Sequence, residues 1–274
     1  MGVTLITGVG GFIGGALLEE LGKDNDDVLG LSRTQKSSWN IVRADFASYE
    51  DLKALDRWGI DRLCHLGAAT GGCSEHEGLS VNVAGTRTLL RYIVDRGCRK
   101  VVLASSIAAV GLADADFVPK TVPIDEEHPC LARDPYGASK YLMERIGEYF
   151  SRVDSRLEVT ALRLASIFPD VSPPPKCNTG SSRGSYALAK LTQMCLSDAV
   201  QAFKTTLEAE LGPGFRVLNA TPLKAWSAVP TRVVLDNWFD GVIETSWFAS
   251  REHEYDAVFS CERMREMVEF SPCC

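Results

Sequence analysis

Several things are missing from this sequence, and each absence removes a class of function. No apolar run approaches the roughly 18 residues that a bilayer-spanning helix needs, so a membrane partner is not expected. Basic excess is missing as well: 29 Lys and Arg stand against 36 Asp and Glu, a net charge of −7. That balance disfavours nucleic acid and anionic lipid as partners while leaving room for one local basic pocket. The opening Met1-Gly2-Val3-Thr4-Leu5-Ile6-Thr7 carries no basic stretch ahead of its apolar residues and does not read as a secretory signal. No internal repeat is present. Nine cysteines, at 64, 73, 98, 130, 177, 195, 261, 273 and 274, are odd in number and form no C-x-x-C pair. They are expected to be free thiols in a reducing cytoplasm, with no metal site and no role for the terminal Cys273-Cys274.

What is present is an alternation. Apolar runs of strand length occur at Val3–Ile6, Val28–Leu31, Asn40–Arg43, Arg62–Leu66, Val101–Ala104 and Val159–Leu164. Between them lie helical stretches at Phe12–Leu21, Tyr49–Arg57, Leu79–Arg96 and Tyr136–Phe150, and Asp24-Asn25-Asp26-Asp27 reads as a charged turn. Continuous rather than alternating apolar strands suit a sheet covered on both faces. The pattern predicts a doubly wound, Rossmann-like α/β fold with a parallel sheet. After Phe168 a loop rich in Pro, Gly and Ser runs to Gly184, and loops of that length are usually functional. A helix over Tyr186–Leu211, a strand over Phe215–Asn219 and two further helical stretches are expected to follow. The division is therefore a dinucleotide-binding domain over 1–168 and a small substrate-binding region over 169–274, some of whose elements return to the main domain.

The first strand runs into Thr7-Gly8-Val9-Gly10-Gly11-Phe12-Ile13-Gly14 and then a helix. Glycines at this spacing permit a tight turn, close approach of backbone to a pyrophosphate and close helix–strand packing, with the free N–H groups of the helix facing the phosphates. The second strand ends in Ser32-Arg33, where an acidic residue would bind a ribose 2′-hydroxyl. Arginine instead pairs with a 2′-phosphate, which points to NADP. Asp45-Phe46, after the third strand, is placed to hold the adenine edge.

Asp134-Pro135-Tyr136-Gly137-Ala138-Ser139-Lys140 opens a helix with a capping Asp and Pro in its first turn. Tyr136 and Lys140 then share one face. An ammonium beside a phenol favours the phenolate, which makes Tyr136 a proton donor and acceptor for a carbonyl/alcohol pair. Ser105 and Ser106 end the fifth strand, where such sheets bind ligands, so one of the two is placed to hydrogen-bond the substrate oxygen.

With Thr7–Gly14, Asp45-Phe46, His65-Leu66-Gly67-Ala68-Ala69, Asn82-Val83-Ala84-Gly85-Thr86, Ser105–Gly111 and Tyr136–Lys140 in this order, the sequence resembles the extended short-chain dehydrogenase/reductase superfamily, and within it the NAD-dependent epimerase/dehydratase family. The resemblance covers roughly residues 2–168. It implies that Ser106 is the catalytic hydroxyl, Tyr136 the acid/base and Lys140 its helper and a holder of the nicotinamide ribose. It further implies that Leu66, Gly67, Ala68, Ala69 and Ala104 line the cofactor and that Asn82 supports the active-site backbone. His65 is read as a satisfied histidine at a strand end. Ile107-Ala108 stand where the family's dehydratases carry an acidic pair, so dehydration is not expected. Thr70, on the rim after the fourth strand, and Arg183, in the Ser/Gly loop, are the further candidates for substrate contact.

The reading is an NAD(P)-dependent oxidoreductase that moves hydride between a nicotinamide and a secondary alcohol or ketone of a small sugar-like or specialised metabolite. A nucleotide-sugar epimerase with retained NAD is one alternative, and a non-catalytic nucleotide-binding sensor or partner subunit is the other. Resemblance also implies a homodimer built on the helices Leu79–Arg96 and Tyr136–Phe150.

Overall fold

The computed structural model describes residues 2–23, 27–34, 37–38 and 40–273. Most of the expected charged turn, at 24–26, and Cys274 lie outside the described residues. Through the first part of the chain, strands and helices alternate as β1 (Val3–Thr7), α1 (Phe12–Gly22), β2 (Val28–Ser32), β3 (Ile41–Arg43), α2 (Tyr49–Leu52), β4 (Ile60–His65), α3 (Glu75–Glu77), α4 (Thr86–Val94), β5 (Lys100–Ser106), α5 (Pro135–Val153) and β6 (Glu158–Leu164). There follow β7 (Ser166–Phe168), α6 (Ala187–Leu191), β8 (Gln193–Cys195), α7 (Leu196–Glu208), β9 (Gly214–Ala220), α8 (Thr231–Phe239) and α9 (Glu262–Val268). Seven of these strands form one sheet in the order β3-β2-β1-β4-β5-β6-β9, parallel at every pairing. It is the doubly wound arrangement that the alternation predicts.

Burial explains why the strands read as continuous apolar runs. Leu5, Leu63, Val101, Leu103 and Val159 point into one layer, where Leu89, Ile93, Met143 and Phe150 of α4 and α5 cover them. Their neighbours Ile6, Cys64, Val102 and Leu162 point into the other, beneath Leu17 of α1, Phe203 of α7 and Met264 of α9. A strand sandwiched between helices has no solvated side on which to place polar residues. The carboxyl-terminal elements build a third cluster, with Leu188, Leu235, Trp238 and Phe259 packed on Val110, just beyond β5.

Three sequence expectations change here. Residues 78–85, expected to share one α-helix with α4, form a π-helix that precedes it. Its two ends press on neighbours: a Cβ at Gly78 would lie 3.1 Å from the Pro135 carbonyl oxygen, and one at Gly85 would lie 2.8 Å from the Phe46 ring. The helix expected over Tyr186–Leu211 is broken into α6, β8 and α7. Tyr186 is left-handed at φ 57°, and at Thr192 the backbone leaves the helix while the hydroxyl donates to the Leu188 carbonyl at 2.8 Å. The freed segment then pairs with β7, Ser166 opposite Gln193. Finally, Cys195 is disulfide-bonded, whereas Cys64, Cys73, Cys98, Cys130, Cys177, Cys261 and Cys273 are free. The chain end returns to the start of α7, where the Cys273 N–H donates to both carboxylate oxygens of Asp198 at 3.0 and 2.9 Å.

Candidate active site

The carboxyl ends of the central strands open into a cleft of about 630 Å³. Its floor at one end is the β1–α1 turn. Gly8 takes φ +75°, and a Cβ on it would lie 2.7 Å from the Gly67 nitrogen. A Cβ at Gly14 would strike the Gly8 carbonyl oxygen at 2.3 Å, so glycine is required where α1 meets β1. Gly11 stands before the helix and no side chain caps its first turn. The cradle offers backbone N–H groups and close approach, which fits a dinucleotide pyrophosphate. Gly8, Gly10, Gly11, Phe12, Ile13 and Gly14 all line it.

Beyond the turn lie Ser32 and Arg33 at the end of β2. The Ser32 hydroxyl accepts from the Thr34 N–H at 3.3 Å, and the Arg33 guanidinium, exposed, stands 3.8 Å from Asp45. Phe46 lines the cleft, but Asp45 turns to the Ala47 N–H at 2.9 Å. On the opposite wall Leu66, Gly67 and Ala68 lead to Thr70. Ala69 stands one layer back, gripped by fully buried Asn82 from the π-helix. Asn82 Oδ1 accepts from the Ala69 N–H at 2.7 Å, while its Nδ2 donates to the Ala69 carbonyl at 2.9 Å and to Ser139 Oγ at 2.8 Å. Ser139 in turn donates to the Tyr136 carbonyl at 2.8 Å. One amide thus ties the cleft wall to the start of α5.

The two serines that end β5 have different partners. Ser105 donates to Glu144 at 2.6 Å. Ser106 accepts from the Ala108 N–H at 3.1 Å and lines the cleft together with Tyr136. Asp134 caps α5 by accepting from the Gly137 N–H at 2.8 Å, with Pro135 in the first turn. Tyr136 and Lys140 therefore leave α5 on the cleft side, as their spacing predicts. Lys140 is buried, its Nζ 5.7 Å from the Tyr136 ring centroid and donating to the Ala104 carbonyl at 2.6 Å. Burial draws its pKa down to about 8, against the pull of Glu144 and Cys73. Tyr136 departs from expectation: burial pushes its phenol up, and the neighbouring Ser106 hydroxyl only partly opposes that. A neutral phenol beside a serine hydroxyl is poised to give a proton rather than to take one.

Arg183 is not in the cleft. Its Nη2 donates to the Phe117 carbonyl at 2.6 Å, its Nη1 reaches the Trp238 carbonyl at 3.5 Å, and its guanidinium stacks 4.3 Å over Phe239. The expected substrate clamp is a strap that holds the Ser/Gly loop onto α8. Residues that the sequence pattern does not single out also line the cleft: Thr34 beside Ser32, Val81 of the π-helix, and Leu164, Ala165 and Ile167 after β6. The rule that ligands collect at carboxyl ends of strands points to the last three.

Residues 4–181 match the model of the NAD dependent epimerase/dehydratase family, more than half of the chain. The chain belongs to that family. Within it, UDP-glucose 4-epimerase 2 of Arabidopsis thaliana is 30% identical over 181 residues, 58% of this chain and 50% of its own. UDP-glucose 4-epimerase of Lactobacillus helveticus is 31% identical over 175 residues, 60% of this chain and 51% of its own. The chain spans about half the length of the curated relatives it matches. Solved family folds superpose over nearly all of it. A short-chain dehydrogenase/reductase superfamily protein of Agrobacterium tumefaciens with bound NAD gives a TM-score of 0.71 at 19% identity, covering 98% of this chain and 92% of that one. UDP-glucose 4-epimerase of Thermotoga maritima with UDP-glucose gives 0.68 at 17%, covering 98% and 93%. Fold and family are thereby shown, with the glycine turn and Tyr136–Lys140 inside the matched span.

Proposed function

We propose that this family member is an NAD(P)-dependent oxidoreductase acting on a secondary alcohol or ketone, with Ser106, Tyr136 and Lys140 as its reacting groups. The observation that carries the reading is that Ser106, Tyr136 and Lys140 line one cleft whose other end is the glycine cradle of α1. A nicotinamide dinucleotide, when bound, supplies or accepts hydride. The cradle and Ser32, Arg33, Phe46, Leu66, Gly67, Ala68 and Ala104 are the residues to hold it, with Asn82 and Ala69 fixing the wall behind them. Ser106 donates a hydrogen bond to the substrate oxygen. Tyr136 gives that oxygen its proton in reduction and takes it back in oxidation, and Lys140 supplies the positive charge that makes phenolate accessible. Return of hydride to the opposite face of the same carbon would make the net reaction an epimerisation, and the relatives named UDP-glucose 4-epimerase support keeping it as the second reading.

Arg33 supports NADP over NAD, because its guanidinium is exposed at the ribose end, with Asp45 at 3.8 Å as its ion-pair partner among the described residues. The exposed apolar residues Leu142, Tyr149 and Val153 on α5 support a homodimer through that helix.

One experiment tests both cofactor and chemistry: fluorescence titration with NADPH and NADH, on the wild type and on Tyr136→Phe. NADPH is expected to bind at least tenfold tighter, about 1.4 kcal/mol. Tyr136→Phe is expected to keep that affinity and to lose about 10²-fold or more in turnover. Equal binding of NADH removes the role of Arg33, and unchanged turnover removes that of Tyr136.

A further inference from the structure

One fully buried carboxylate stands directly behind the reacting groups. Glu144 lies on α5 one turn beyond Lys140, with its side chain at 0% exposure. Its Oε1 accepts from Ser105 Oγ at 2.6 Å and from Arg163 Nε at 2.9 Å, and its Oε2 accepts from Arg163 Nη2 at 3.0 Å. The remaining end of the guanidinium donates to the Glu126 carbonyl at 3.2 Å. Three elements therefore meet on Glu144: α5 carries it, β5 supplies Ser105 and β6 supplies Arg163. The residues that flank these contacts are the reacting ones, Ser106 after Ser105 and Lys140 before Glu144, while the Lys140 ammonium reaches back to Ala104 on β5.

Stability alone does not account for such a group. A buried ion pair is commonly no more stabilising than apolar side chains of the same volume, because both charges lose their water. We propose that Glu144 is a positioning residue for the reaction: it locks α5 against the end of β5 so that Tyr136 and Lys140 face Ser106, and it sets a buried carboxylate one helical turn from Lys140. The proposal rests on the oxidoreductase reading above.

The groups that face Lys140 are few. On α5 they are Tyr136 and Glu144. Cys73 comes from the loop after β4, and its thiol is pushed up by burial and by Glu77. His65 comes from β4, and burial holds it neutral at a pKa of about 3. Tyr136 is also pushed up by burial. Glu144 is thus the carboxylate set against the desolvation that draws Lys140 down to about 8. Without it the lysine would lose its proton nearer neutrality.

NADPH carries net negative charge, so its affinity reports the protonation of Lys140. The dissociation constant is measured from pH 6.5 to 9.5 on the full chain, with melting temperature recorded at each pH. In the wild type, affinity is expected to fall through a midpoint near the Lys140 pKa. Glu144→Gln is expected to move that midpoint down by about one unit, and Glu144→Asp, which keeps the charge, to restore it. If Glu144→Gln leaves no folded protein, the double variant Glu144→Gln/Arg163→Met removes both members of the pair, an exchange that is often neutral for stability, and a smaller downward shift, on the order of half a unit, is expected because the loss of the Arg163 charge partly offsets that of Glu144. A purely structural Glu144 would lower the melting temperature and leave every midpoint where it was, which overturns the proposal, as does a wild type whose affinity is flat across the range. Loss of both NADPH and NADH binding at all pH values in the wild type would instead bring down the oxidoreductase reading, and this proposal with it.

Discussion

His65 shows how completely one side chain can be committed to the frame of the cleft. Its Nδ1 meets the Thr7 hydroxyl at 2.7 Å and its Nε2 meets the Thr86 hydroxyl at 2.8 Å, so the ring spans from β1 to α4 with Phe46 packed edge-on 4.9 Å away. Burial draws its pKa down to about 3. In the unfolded chain the same ring titrates near its ordinary value of about 6.5. Between these values the unfolded state binds more protons, so stability rises with pH there. It is present in full above about pH 6.5 and is lost as pH falls toward 3, by up to about 1.4 kcal/mol per pH unit. Thermal melts from pH 7 to 5 are expected to show the fall, with a shallower slope in His65→Asn. Parallel slopes would mean that other groups carry the acid sensitivity. The sequence reads His65 as a satisfied strand-end histidine, and its two hydroxyl partners agree with that. It held no hint of the partners of Ser105 or Arg183. Both depend on which distant carbonyl or carboxylate the fold brings near, and sequence spacing carries no such information.

At the scale of elements, the parts read correctly are those specified by local chemistry: the glycine turn into α1, the Asp-Pro start of α5 and the apolar strands. The parts misread are set by contacts from elsewhere. The π-helix at 78–85 looks helical by pattern, and its departure from α geometry places Asn82 against Ala69 and Ser139. Such insertions are frequent at functional sites. The split of 186–211 follows from pairing with β7, a partner about twenty-five residues away in sequence. Asn82→Ala leaves the Ala69 N–H and carbonyl, both part-buried, without their side-chain partner. It is expected to cost about 2–4 kcal/mol in chemical denaturation and to weaken NADPH binding as the wall at Gly67–Ala69 loosens. A loss below about 0.5 kcal/mol would show that water replaces the amide and that the π-helix is not fixed by it.

For the whole molecule, the organising fact is that α5 serves two surfaces. Its buried face carries Lys140, Met143 and Glu144, and its outer face exposes Leu142, Tyr149 and Val153 at 39%, 46% and 47%. Scattered single apolar residues on a surface are ordinary, and it is their alignment in a row on one helix that supports the proposed homodimer. Light scattering is expected to give a particle of twice the 29.9 kDa chain mass, and Tyr149→Lys with Val153→Glu to return it to the monomer with cofactor binding intact. A 29.9 kDa particle at working concentration would refute the dimer.

The position of β9 has a consequence for how the protein is made. That strand closes the sheet by pairing along the whole of β6, from Glu158 opposite Gly214 to Leu164 opposite Ala220, yet about fifty residues separate the two in the chain. During synthesis β6 leaves the ribosome first. Until β9 emerges, it presents an open row of backbone donors and acceptors, the kind of edge on which nascent chains associate wrongly. Asn219 of β9 also donates its backbone N–H to the Glu126 carboxylate at 2.8 Å, anchoring the loop on which Arg163 rests. Translation must therefore have passed β9 before the support beneath α5 is in place, so any stall before β9 yields a chain that already has its glycine cradle but not the finished far end of the cleft.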